Sequence, residues 1–160
     1  MTAEYRQYLI QRFDEEVEGE SFFRGLSVRA EGADRKHKWA VLAQLEAETR
    51  EHLRTALKEL GVEPADQAHR VERGQKLAER FSAMPWLEFL LMFRTTLENF
   101  MSQFSAAEKL APEEGKERAL LRHITRHEQA LLAFVVREID GRGDVSTDAV
   151  LALLGKPIQS

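Results

Sequence analysis

The chain has 160 residues, of which 43% are apolar and 31% charged, and its formal net charge is −4 at pH 7. This length predicts a single domain over residues 1–160, and the composition is that of a globular rather than a disordered protein. The chain contains no cysteine, which excludes disulfide scaffolds, zinc fingers, iron–sulfur clusters and thiol nucleophiles. The acidic balance argues against nucleic acid or an anionic membrane as the main partner.

No segment has the pattern of a signal peptide or of a membrane span. Glu4 and Arg6 interrupt the apolar residues at the N-terminus, so a signal-peptide core is not formed there. The longest apolar stretch, residues 84–93, is broken by Glu88 and is far shorter than the roughly 20 residues that a membrane helix needs. We therefore expect a soluble, cytoplasmic protein with no membrane partner.

The pattern of the chain predicts an all-α fold. Glycine and proline are few, good helix formers fill the segments between them, and no segment alternates apolar and polar residues as a strand does. The four long helices predicted here have matched lengths, with a long connection after the second, which favours an antiparallel four-helix bundle. A short extra helix is expected between the second and third long helices, and another near the C-terminus. In chain order, the predicted helices cover about residues 3–30, 34–60, 64–80, 85–110, 112–140 and 147–154.

Two breaking residues refine these bounds. Gly61 suits the C-terminal cap of the second long helix, and Pro112 suits the first turn of the fourth. Gly19 and Gly25 are expected to bend the first.

Helical wheels place acidic residues on the apolar faces of three long helices. Glu16 or Glu20 falls on the apolar face of the first long helix, and Glu46 falls on the apolar face of the second. Glu128 falls on the apolar face of the fourth. The third has a wholly apolar stripe and leaves Glu98 in solvent; the stripe consists of Trp86, Phe89, Leu90, Phe93, Leu97, Phe100 and Phe104.

The inward acids are expected to meet near the middle of the bundle. An unpaired buried carboxylate costs several kcal/mol or becomes neutral, so such acids need a metal ion, a basic partner or a shared proton. His52 lies toward the edge of the second stripe, and His127 flanks the fourth, four residues after His123. Two histidines at that spacing can chelate a metal, although such a pair at the rim of a stripe is more typical of exposed residues.

These segments resemble the ferritin-like superfamily, in particular rubrerythrin-type helical pairs. The resemblance rests on "EEVEGESFFRGLSVRAEG", "WAVLAQLEAETREHLRTALKELG" and "HITRHEQALLAFVVREIDG", together with helix length and inward acids. It implies a ferritin-like bundle that holds two metal ions, iron or manganese, with a Glu from each of two helices and Glu-x-x-His from each of the other two.

The residues match that ligand set in part. Glu16 or Glu20 corresponds to the first Glu, and Glu46 and Glu128 correspond to the acids of the two Glu-x-x-His motifs. Thr49 and Leu131 stand where those motifs have histidine, and the third long helix offers no inward acid. The candidate metal ligands are therefore Glu16, Glu20, Glu46, Glu128, His52 and His127.

Three functions follow from this partial match. The first is a non-catalytic interaction or ligand-binding module with a degenerate metal site. The alternative is a carboxylate-rich metal enzyme of the oxidase or peroxidase type, with His52 or His127 turned inward to complete a di-iron or di-manganese site. The third is a small-molecule binder that takes a cationic or amphipathic ligand where the acids meet.

The start of the third long helix is apolar on two sides. Leu87 and Leu91 face away from its main stripe and need a second cover. The chain's own segments, residues 64–80 or the C-terminal tail, are the preferred cover, and a homodimer through the Leu87 and Leu91 region is the alternative.

Overall fold

The computed structural model describes residues 1–158, and within that range the chain is helical and has no β-strand. This confirms the all-α class. No helix in the described range combines the length and the apolar character needed to cross a bilayer. The six α-helices are α1 (Ala3–Arg29), α2 (Ala33–Glu59), α3 (Ala68–Ser82), α4 (Trp86–Ala107), α5 (Lys116–Ile139) and α6 (Asp148–Leu151).

Some predicted helix bounds were wrong by several residues. The helix predicted from residue 64 begins at Ala68, and the one predicted from Pro112 begins at Lys116. Gly115, whose φ is +108°, directly precedes α5, and such a φ favours glycine. Arg118 donates to the carbonyl oxygens of Ala111 and Pro112 at 2.8 and 3.0 Å, so these two residues belong to a fixed loop. The last helix is also shorter than the predicted 147–154.

Helix α2 ends in the C-terminal cap that was predicted at Gly61. This residue has a φ of +77°, and its N–H donates to the carbonyl oxygen of Lys58 at 3.0 Å. The N–H of Val62 donates to the carbonyl oxygen of Leu57 at 2.9 Å. These two bonds form a Schellman cap, which satisfies carbonyl groups that the end of the helix leaves without partners.

The chain divides into two compact units, of which the first is Met1–Ala83 and the second begins at Met84. The first unit contains α1, α2 and α3, and the second contains α4, α5 and α6. The single domain predicted over residues 1–160 stays a prediction.

In the first unit, α1 and α2 form an antiparallel pair. The ring of Phe23 stacks on Trp39 with centroids 5.8 Å apart, at the end where the two helices are joined. Toward the other end, the guanidinium of Arg54 lies over the ring of Phe13, 5.0 Å from its centroid. The apolar stripe predicted for the second long helix is buried at Trp39, Leu42, Leu45, Leu53 and Leu57.

Helix α3 packs along α1 in the same direction, at a distance that only glycine allows. A Cβ atom on Gly74 would lie 2.5 Å from the carbonyl oxygen of Glu18, and one on Gly25 would lie 2.5 Å from the Cβ of Ala78. The hydroxyl of Ser21 donates to the carbonyl oxygen of Val71 at 2.6 Å. α1 is therefore continuous through Gly25, and this glycine serves close packing rather than a bend.

In the second unit, α5 packs against α4 and α6. The buried residues of α4 are Phe89, Leu90, Leu97 and Phe104, and Glu98 is exposed as predicted. Phe100 is 46% exposed, so its predicted place in the buried stripe is wrong. Leu87 and Leu91 are 54% and 40% exposed, so the C-terminal segment of the same unit does not cover them as expected, and a cover from residues 64–80 stays a prediction. The homodimer through this face stays a prediction.

We expect Gly74→Ala to lower the free energy of unfolding by about 1–3 kcal/mol, because the added methyl group meets backbone atoms of α1 that cannot yield. Intrinsic helix propensity alone would raise the stability by about 1 kcal/mol, so the sign of the change separates the two effects. Urea denaturation followed by circular dichroism measures it. The control is Lys76→Ala at an exposed position of α3, for which we expect a change within about 0.5 kcal/mol. A neutral or stabilising Gly74→Ala would contradict the close packing of α1 and α3.

Candidate functional site

The predicted site residues fall in both units. Glu16, Glu20, Glu46 and His52 belong to the first, and His127 and Glu128 to the second. Four of the six are buried, namely Glu16 (1% exposed), Glu46 (6%), His127 (0%) and Glu128 (8%). Glu20 and His52 are half-buried. The predicted meeting of acids from three helices stays a prediction.

Glu46 lies against α1 at Gly19. A Cβ atom on Gly19 would be 2.9 Å from Cδ of Glu46 and 3.0 Å from each of its carboxylate oxygens. Gly19 therefore leaves space for a carboxylate, and α1 passes through it without a break in the helix. The inward position predicted for Glu46 is confirmed, and so is that of Thr49, which is fully buried one turn later.

Glu20 makes a different set of contacts. One oxygen of its carboxylate pairs with Arg24 at 2.9 Å, and the other pairs with Arg50 of α2. Of the two acids considered for α1, Glu16 is therefore the deeply buried one, whereas Glu20 is an ion-pair partner of two arginines. A carboxylate used in this way is a poor candidate for a metal ligand.

Arg50 connects α1, α2 and the segment that leads to α3. Besides Glu20, it lies 3.4 Å from an oxygen of Glu51 and 3.8 Å from one of Asp66. Its side chain is only 18% exposed, so these carboxylates compensate a cation that is largely removed from water.

Arg54, one turn further along α2, holds the same segment. It donates to the carbonyl oxygen of Pro64 and to Asp66, both at 3.0 Å. Nothing in the local sequence pattern indicated these contacts, because the partners lie 10 and 12 residues away in a connection without regular structure.

A cleft of about 460 Å³ lies over α1 between α3 and Arg50. This volume is within the range of roughly 300–1,000 Å³ that is typical of small-molecule sites. Its apolar walls include Val17 and Val28 of α1 and Val71 of α3. Its charged groups are one acid and three bases, namely Glu20, Arg24, Arg29 and Arg50. The cleft is therefore partly apolar and carries an excess of positive charge.

The arginines of the cleft differ in how far nearby carboxylates compensate their charge. Arg24 shares the carboxylate of Glu20 with Arg50. Arg29 donates to the carbonyl oxygen of Gly25 at 3.3 Å and makes no ion pair within residues 1–158. The net charge of the cleft is thus concentrated near the end of α1.

The C-terminal end of a helix itself disfavours an anion, by about 0.3–1 kcal/mol at an exposed site. Arg24 and Arg29 are exposed, and an ion pair at such a position contributes about 0.2–1 kcal/mol. The two effects are similar in size for each group, but the cleft has three guanidinium groups against one carboxylate and one helix end, so its net charge favours an anion.

His52 is a half-buried residue on α2. Burial lowers its pKa below the ordinary value, and the nearby carboxylate of Glu48 opposes this with a smaller upward effect. The neutral imidazole is thereby favoured near neutral pH.

In the second unit, α5 contains the buried residues His123, His127 and Glu128. The wheel placed both histidines at the rim of the apolar stripe, where exposure is more usual, and this was wrong. The reason is that α5 is buried over a wider arc than the stripe, since Thr125, Ala130 and Phe134 are buried as well. A helical wheel shows only which face of a helix is apolar. It therefore underestimates how many residues are buried when the helix is covered on several sides.

The residues present do not fit the di-iron or di-manganese set of ferritin-like proteins. Thr49 and Leu131 are buried at the two positions where that set requires histidine. All buried residues of α4 are apolar, so this helix supplies no carboxylate. A di-iron or di-manganese site of that type is therefore incomplete in this chain.

Comparison with protein-family models, with curated protein sequences and with solved structures finds no match in any of the three.

We expect the stability of the wild-type chain to depend on His52 below neutral pH. Because the pKa of His52 is lowered in the folded state, the unfolded chain binds its proton more tightly, and stability falls as the pH drops through about 6.5. His52→Gln removes this contribution, so the loss of stability between pH 7.5 and pH 5.5 should be smaller in the variant. Urea denaturation at both pH values measures it. His37→Gln, at an exposed position of the same helix, is the control and should show the wild-type loss. An equal loss in His52→Gln and His37→Gln would contradict the effect of burial.

Proposed function

We propose that this chain is a non-catalytic ligand-binding module, that it is a ferritin-like bundle with a degenerate metal site, and that its ligand site is the cleft over α1. The ferritin-like origin rests on the resemblance of α1, α2 and α5 and on the helix pairs α1–α2 and α4–α5. The incomplete set of metal ligands supports a role other than oxidative chemistry.

The observation that carries the proposal is the combination of valine walls with three arginines against one glutamate in a cleft of ligand size. Small-molecule sites typically have apolar walls and a few polar groups that orient the ligand. Arginine stays protonated at any physiological pH, so these groups suit binding better than acid–base catalysis. The charge of the cleft favours an anionic ligand over the cationic one considered from the sequence.

We expect amphipathic anions to raise the melting temperature of the protein by mass action, and neutral or cationic compounds of the same apolar size to raise it less. A thermal-shift panel of matched carboxylates, amides and amines measures this.

Val28→Trp fills the cleft at a residue that is 75% exposed, so it should abolish the shift without loss of folding. Leu87→Trp, at an exposed position of α4, is the matched control and should keep the shift. If no compound in the panel raises the melting temperature, or if Val28→Trp leaves the shift intact, the cleft is not the ligand site.

The second candidate function is a carboxylate-rich metal-binding enzyme of the oxidase or peroxidase type. It is favoured by the burial of Glu16 on α1 and Glu46 on α2, because carboxylate oxygens are common ligands of divalent cations. Two carboxylates without a histidine form a weak site for iron or manganese.

The two candidates differ in metal content. We expect protein purified from medium rich in iron and manganese to retain well under one metal ion per chain after dialysis, as measured by elemental analysis. Stoichiometric iron or manganese that survives dialysis, and that is lost in Glu46→Gln, would instead establish the metal site. Asp144→Asn, at a residue outside the buried acid set, serves as the charge-matched control.

A further inference from the structure

We infer that the ligand of the cleft is a monoanionic aliphatic acid, whose carboxylate is bound by Arg29 together with Arg24 and whose hydrocarbon part lies against Val28 and Val71. This inference rests on the proposed function and specifies the ligand of the same site.

The charges of the cleft favour a single negative charge on the ligand. Glu20 compensates Arg24 and Arg50 together, and Arg50 has two further carboxylates, Glu51 and Asp66, within 4 Å. Arg29 forms no ion pair in the described part of the chain. Arg29 is a guanidinium without an ion pair within residues 1–158, and Arg24 beside it has only a share of the Glu20 carboxylate. This arrangement matches the single charge of a monoanion. The planar fork of arginine also fits a carboxylate in a bidentate arrangement.

The apolar residues lie close to this charge along the chain and across the cleft. Val28 directly precedes Arg29 and stands one helical turn after Arg24, so it lies on the same face as Arg24. Val28 is 75% exposed, whereas Val17 at the other end of the cleft is only 2% exposed. The exposed valine next to an arginine is therefore where a ligand can still bury apolar surface.

Gly25 lines the cleft between these groups. Its lack of a side chain allows α1 to approach Ala78 of α3, and its carbonyl oxygen accepts the hydrogen bond from Arg29. The hydrogen bond from Ser21 holds Val71 of α3 at α1, and the hydrogen bond to Gly25 orients the guanidinium of Arg29. The three apolar side chains that line the cleft are all valines, which suits an aliphatic hydrocarbon part.

Titration with hexanoate, followed by backbone amide NMR, tests the inference in the full-length protein. We expect hexanoate to shift signals of residues 24–29 and 71–75, and hexanamide, which has the same hydrocarbon chain without the charge, to bind at least tenfold more weakly. Inorganic phosphate, which has charge without hydrocarbon, should also bind at least tenfold more weakly.

Arg29→Gln should weaken hexanoate binding about tenfold or more, and Arg29→Lys should restore part of it. Arg6→Gln removes the same charge from an exposed position of α1 outside the cleft and should bind as the wild type does. Equal binding by wild type and Arg29→Gln, or by hexanoate and hexanamide, would overturn the assignment of the carboxylate to Arg29. Phosphate bound as tightly as hexanoate would overturn the assignment of the hydrocarbon part.

The outcomes also separate this inference from the proposed function. If hexanoate does not bind but a neutral or cationic compound of the panel occupies the cleft, the inference is wrong and the ligand-binding module stands. If no compound occupies the cleft, both are wrong.

Discussion

The approach of α3 to α1 at Gly74 and Gly25 is the constraint on which the first unit depends. At these two positions a methyl group would meet atoms of the opposite helix at 2.5 Å, so the spacing exists only because both side chains are absent. The hydrogen bond from Ser21 to the carbonyl oxygen of Val71 fixes the same crossing. The cleft is a consequence of this close packing, because its apolar side chains come from both α1 and α3.

Glu20 determines the electrostatics of that cleft. A single carboxylate pairs with Arg24 of its own helix and with Arg50 of α2, so it joins two helices and leaves the cleft with more positive than negative charge. Buried or half-buried ion pairs contribute little net stability once desolvation is included, and they specify geometry more than they add free energy. In this protein the geometry that they specify is the placement of Arg24 and Arg50 around the carboxylate of Glu20.

The sequence predicted the parts of this structure that depend on local pattern. The apolar period of α2, the inward position of Glu46 and the cap at Gly61 each depend on residues within a few turns, and all three are present. The contact between Glu20 and Arg50 could not be predicted in this way, because it joins residues 30 positions apart whose pairing requires the register of two helices.

The glycines and histidines show the same limit. From the sequence alone, Gly19 and Gly25 predict bends in α1, since glycine has a low helix propensity. The spaces that they leave for Glu46 and Ala78 are visible only once the neighbouring helices are in place. His127 was placed at a rim, and its full burial follows from neighbours that a single helical wheel does not include.

The contacts of Arg54 have a consequence for how this chain tolerates changes in length. The connection between α2 and α3 is held at Pro64 and Asp66 by one guanidinium, which also covers the ring of Phe13. An added residue between Pro64 and Asp66 would move one of these two anchors out of register with the other. Loops of similar length usually accept insertions readily. This one is instead expected to vary in composition more than in length among chains that share the fold.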